Sequence, residues 1–74
     1  MRKINGQFVA SPSERVRALS HARRMAREAV YDGHIEVWFD PDNGRFLYAE
    51  CVGESYCASD ALQYVYSVPC RSWN

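Results

Sequence analysis

Seventy-four residues, 47% hydrophobic and 14% aromatic, with nine basic and nine acidic side chains, make one small domain, residues 1–74, of zero net charge. A chain of this length has no room for a second core or an enclosed substrate cavity, and its apolar content argues against disorder. No apolar run approaches the roughly 20 residues that cross a bilayer, and no signal-peptide core follows the opening Met-Arg-Lys, so a soluble, intracellular protein without membrane contact is expected.

The neutral total hides a segregation. Residues 1–30 hold seven basic against two acidic side chains, and residues 31–74 hold two against seven. Charge divided in this way predicts two faces that steer different partners.

In chain order, Gln7 to Ala10 reads as a short strand. Ser11-Pro12-Ser13-Glu14 then carries three helix-start signals: a capping serine, proline at the first helical position, and glutamate three residues after the cap. From there Val16, Ala18, Leu19, Ala22, Met25, Ala26, Ala29 and Val30 recur at helical spacing, predicting a helix from Pro12 to about Tyr31. Its other side carries Arg17, Ser20, His21, Arg24, Arg27 and Glu28, with Arg23 at the border. Gly33 is the expected stop, in the left-handed conformation cheap only for glycine.

Ile35, Val37 and Phe39 alternate with His34, Glu36 and Trp38, and Asp40-Pro41-Asp42-Asn43-Gly44 supplies turn residues before the return from Arg45 to Val52. That is a hairpin of open register, because both faces of the return strand carry large apolar groups. Leu62, Tyr64, Tyr66 and Val68 alternate toward Pro69, predicting a last strand with those four on one face. A short helical start over Ser59 to Gln63 is the rival reading. The fold class expected is α+β, a small antiparallel sheet of three to four strands with one amphipathic helix on one face, in the order β-α-β-β-β.

Catalytic chemistry finds little support. Cys51, Cys57 and Cys70 are separated by five and twelve residues, lacking the close pairs of a zinc site, and His34 would have to complete the set. They read as small hydrophobes, although Cys51 and Cys70 could cross-link under oxidising conditions. Neither His21 nor His34 is placed near a nucleophile, and no glycine-rich phosphate loop or carboxylate pair is present. No enzyme, catalytic residue, metal or other cofactor is expected.

The arginine stripe of Arg17, Arg24 and Arg27, with Arg23 at its edge, points instead to binding. Arginine suits bidentate contact with phosphate or carboxylate, and only Glu28 lies on that face to balance it. Trp38, Phe46, Tyr48, Tyr56, Tyr64, Tyr66 and Trp73 are too many for one inner sheet face. An outer face bearing Trp38 and Tyr48 among Glu36, Asp40, Asp42 and Glu50 suits a protein partner. The partner-binding candidates are therefore Arg17, Arg23, Arg24, Arg27, Glu36, Trp38 and Tyr48.

At Leu-Ser-His-Ala-Arg-Arg-Met-Ala, followed by Asp-Gly-His-Ile-Glu-Val-Trp-Phe-Asp-Pro-Asp-Asn-Gly-Arg-Phe-Leu-Tyr-Ala-Glu, the chain resembles the small phage-encoded anti-CRISPR proteins that inhibit type I surveillance complexes. The likeness covers residues 19 to 50, and the tail from Gly53 departs from it. It implies a non-catalytic inhibitor, in the cytoplasm of an infected bacterium, that docks on the guide-RNA ribonucleoprotein and blocks target-DNA binding. Two other readings stand beside it: a phage or plasmid regulator using the helix on nucleic acid, and a homodimeric rather than monomeric interaction module.

Overall fold

Residues 1–54 and 60–70 are described by the structure, a computed structural model. They form one helix and two antiparallel sheets, an α+β fold. The first sheet pairs β1 (Arg2–Ile4) with β2 (Gln7–Val9). Asn5 and Gly6 join them with φ of 52° and 82°, the doubly left-handed turn whose twist matches a two-residue hairpin. Asn-Gly thus adds a strand ahead of the expected order. The Phe8 amide donates to the Pro41 carbonyl at 2.7 Å and the Phe8 ring lies over Gly44, tying this hairpin to the turn of the second.

Helix α1 (Pro12–Glu28) starts as its capping residues dictate. The Glu14 amide donates to Ser11 Oγ at 3.2 Å and the Ser11 amide donates to Glu14 Oε1 at 2.9 Å, so two otherwise orphaned donors are satisfied reciprocally. Ala18, Ala22 and Ala26, one turn apart, are its buried residues. Such a stripe of methyl groups brings the helix backbone close to whatever lies beneath.

The helix ends at Glu28, short of Tyr31, and Val16 and Val30 are 61% and 93% exposed rather than part of the buried stripe. Tertiary geometry sets this end. Ala29 is extended (φ −67°, ψ 141°), and the chain turns to place the Tyr31 hydroxyl on Glu50 Oε2 at 3.1 Å. Nor is Gly33 a left-handed stop: a Cβ there would overlap the Cys51 carbonyl oxygen, so glycine serves a close backbone approach.

The second sheet runs β4 (Arg45–Cys51), β3 (His34–Asp40), β5 (Gln63–Pro69), with β3 central. Asp40 organises the β3–β4 turn. Its Oδ1 accepts from the Asp42 and Asn43 amides at 3.1 and 3.3 Å, and Oδ2 accepts from Asn43 Nδ2 at 2.7 Å. The register left open by the sequence runs from Asp40 opposite Arg45 to His34 opposite Cys51.

On β5, Tyr66 pairs with Val37 but Tyr64 pairs with Trp38, so Val65 is an extra, bulged residue. The bulge divides the expected common face: Tyr66 and Val68 pair with the helix-side residues Val37 and Ile35, whereas Tyr64 pairs with Trp38 on the far side. Of the rival helical start, Ser59 lies outside the described residues, and Asp60–Leu62 form a turn and bend.

The core is the layer where Ala18, Ala22 and Ala26 meet Ile35, Val37, Val68 and Cys70. Leu19, Met25 and Val65 pack around it, and the buried Phe39 ring lies 4.9 Å from that of Phe46. Burial of each large aliphatic or aromatic side chain is worth roughly 1.5–3 kcal/mol. Cys51 closes β4 and Cys70 directly follows β5, so the two flank β3 from opposite sides, about two inter-strand spacings or ~9.5 Å apart, too far for a disulfide.

Candidate functional site

Two surfaces carry the sequence-derived candidates, one on each side of the β4-β3-β5 sheet. The first is the outward side of α1. Arg15, Arg17, Arg23, Arg24 and Arg27 are all exposed, and among the described residues none of them forms a salt bridge. The only acids of the helix are Glu14, occupied by the cap and by the Met1 amino group at 3.3 Å, and the exposed Glu28. Hydrogen bonding from the Ser11 backbone, then from its hydroxyl, holds the Glu14 carboxyl below its ordinary value despite partial desolvation. It is therefore committed to the helix start.

The arginines border two shallow grooves. Between α1 and β4, Arg17 joins His21, Phe46 and Tyr48, with the His21 and Tyr48 rings edge to face at 4.6 Å. Burial pushes the Tyr48 phenol up in pKa, so it is a neutral hydrogen-bonding group throughout the physiological range. Between α1 and β5, Arg23 and Arg27 flank Ala26, Tyr66 and Val68. The first groove sets one guanidinium and the second sets two beside aromatic side chains, an arrangement suited to stacking and to bidentate contact with anions. His21 and Tyr66 were not among the sequence candidates. The helical position of His21 was legible, but its tyrosine partner depends on Tyr48 pairing with Val37.

The second surface is the far side of the sheet, and it differs from the expected acidic, aromatic contact face. Tyr48 is absent from it, because its pairing with Val37 turns it toward the helix. Glu36 belongs to it but is only 3% exposed, so it presents no surface charge. A buried carboxylate is costly unless hydrogen-bonded, and Glu36 meets that condition. His34 Nε2 lies 2.9 Å from Oε2, and Trp38 Nε1 donates to Oε1 at 3.2 Å. Trp38 is half-buried and packs edge-on against Tyr64, with centroids 5.4 Å apart. Asp40 is likewise buried, in the turn it caps. The structure thus brings Arg17 to Tyr48 and Glu36 to Trp38, and separates the two pairs by the thickness of the sheet.

Among the described residues no helix is long and apolar enough to cross a membrane. Tyr56, Cys57 and Trp73 lie outside the described residues. Comparison with protein-family models, with curated proteins and with solved structures gives no match.

Proposed function

We propose that the protein is a non-catalytic binding module that docks through the arginine side of α1 on an anionic surface of a macromolecular partner. The observation that carries this reading is the row of exposed arginines on a rigid helix, without acidic partners among the described residues. Like charges spaced three and four residues apart repel one another, and an external anion relieves that repulsion. Because the alanine stripe already fixes the helix, binding orders side chains alone and costs less entropy than ordering a loop.

The likeness of residues 19–50 to inhibitors of type I surveillance complexes supplies the partner in this proposal. Such a complex displays guide-RNA phosphates and protein carboxylates to the arginines, and docking there obstructs the channel in which target DNA pairs with the guide. The test is a target-DNA binding assay with a purified type I surveillance complex. Equimolar protein should suppress DNA binding by the complex.

Arg24→Glu/Arg27→Glu should fold within about ±0.5 kcal/mol of the parent, since both sites are exposed. Its affinity for the complex should fall at least ~10-fold, because close interfacial charge pairs couple by about 1.5–7 kcal/mol. Undiminished affinity of the folded double variant overturns the helix as the contact. Tight, steeply salt-dependent binding of the protein alone to DNA or RNA would replace the inhibitor with a nucleic-acid regulator.

A further inference from the structure

The far side of the sheet holds a cluster that the spacing of the cysteines does not disclose. His34 and Glu36 are two residues apart on β3 and share one face, and Cys51 on β4 lies directly opposite His34. One ligand atom from each, an imidazole nitrogen, a carboxylate oxygen and a thiol sulfur, lie within 4.8 Å of one another. Glu36 and Cys51 are 3% and 5% exposed, and His34 is half-buried at the rim. Sequence spacing argues against zinc because it looks for close cysteine pairs along the chain. Antiparallel pairing instead assembles the set across two strands, from residues seventeen apart.

We propose that His34, Glu36 and Cys51 form a binding site for a divalent transition-metal ion of zinc(II) type. The ligand set is mixed nitrogen, oxygen and sulfur, the combination that borderline ions take and that magnesium and calcium do not. The dimensions fit with small adjustment. Ligand bonds of about 2.0–2.3 Å place tetrahedral ligand atoms roughly 3.3–3.8 Å apart. The His34–Glu36 pair at 2.9 Å opens by a few tenths of an ångström to admit the ion, and Cys51 Sγ, now directed to the Ala49 carbonyl at 3.8 Å, swings inward.

The surrounding bonds are those a ligating carboxylate requires. Trp38 Nε1 donates to Oε1 and fixes the carboxylate plane, Oε2, the atom beside His34, is the ligand atom of the proposed site, and Tyr64 braces the indole. Cys51 binds as thiolate, its proton passing to solvent. Three protein ligands leave the fourth tetrahedral position to water or to a group from outside, as in open zinc sites. Cys70 is no member of the set, for it lies in the helix-side core.

The test uses the full chain, reduced and stripped with chelator, and titrated with cobalt(II) as a spectroscopic substitute for zinc(II). One equivalent should produce the near-ultraviolet thiolate-to-cobalt band together with the visible bands of a tetrahedral ion, and zinc should displace them. The thiolate band should persist in Cys70→Ser and vanish in Cys51→Ser, and His34→Gln should weaken affinity at least ~10-fold. Absence of a thiolate band at excess cobalt, or its survival in Cys51→Ser, overturns the site. Should Cys51→Ser fail to fold by circular dichroism, alkylation of the parent protein with mass-spectrometric readout decides. Zinc should shield Cys51 selectively, and equal labelling with and without zinc overturns the proposal. None of these readouts depends on the partner named above, so the two proposals fail separately.

Discussion

Gly33 shows how much one missing methyl group determines. The backbone of β4 passes so close that a Cβ would overlap the Cys51 carbonyl oxygen and press on the Tyr31 ring at 3.1 Å. A carbonyl in a hydrogen-bonded ladder cannot swing aside as a flexible side chain can. Gly33→Ala should therefore cost at least the upper end of the roughly 1–3 kcal/mol typical of overpacking, read as a lowered urea midpoint. Parent-like stability would show that the chain does not cross β4 at this point. The sequence marks Gly33 as special but suggests the wrong reason. A helix-stop signal and a close-approach signal are the same letter, and only the tertiary path separates them.

Among the elements, α1 depends on small residues. Ala22 is fully buried between Ala18 and Ala26, with Ile35 and Val37 in the layer below. Ala22→Leu should force the helix off the sheet and lose about 1–3 kcal/mol. In a domain this small that is a sizeable part of the total stability, and it appears as a fall in Tm of several degrees. An unchanged melt would mean that the helix stands farther from the sheet than its alanines indicate. How legible each element was follows from where its determinants lie. The start of α1 was plain, since Ser11, Pro12 and Glu14 act within one turn. The β3–β4 turn was plain too, because Asp40 to Gly44 build it from their own side chains and backbone. The register was hidden, because Leu47 and Tyr48 are adjacent and apolar enough to occupy either face. The bulge at Val65 was hidden as well, since alternation carries no mark of one extra residue. The arginine side of the helix was visible as a pattern, whereas the His34–Glu36–Cys51 cluster exists only through strand pairing.

For the whole molecule, pH brackets stability from both ends. Bonds to Asp40, chiefly from the Asn43 side chain, hold its carboxyl below the ordinary value, as those of Ser11 do for Glu14. Each carboxylate contributes stability that is present above its unfolded value near 4 and lost as pH falls through the lower folded one. At the other end, burial first, then the bond to Glu50, pushes the Tyr31 phenol up to about 12. Its contribution is complete below the unfolded value near 10 and is lost as pH rises through the folded one. Urea unfolding across pH should give a plateau with two falling flanks. Asp40→Asn should flatten the acid flank and Tyr31→Phe the alkaline flank, each leaving the other in place. Flanks unaltered by these substitutions would assign the pH dependence to other groups. The charge division legible in the sequence survives folding in part only. The arginines reach the surface, but Glu36 and Asp40 are taken inside, so the far side of the sheet is less acidic than the residue count implies.

The bulged residue of β5 also bears on how copies of this protein meet at high concentration. Among the described residues β5 and β4 are the edge strands of the sheet, and such an edge offers amides and carbonyls to any extended chain that matches its two-residue repeat. Val65 breaks that repeat midway, and Pro69 removes one donor at the far end. The opposite edge, β4, carries the exposed charges of Arg45 and Glu50 at its two ends. Both borders of the sheet are thus guarded, one by broken periodicity and one by charge, against the edge-to-edge growth that turns small β-rich domains into fibres.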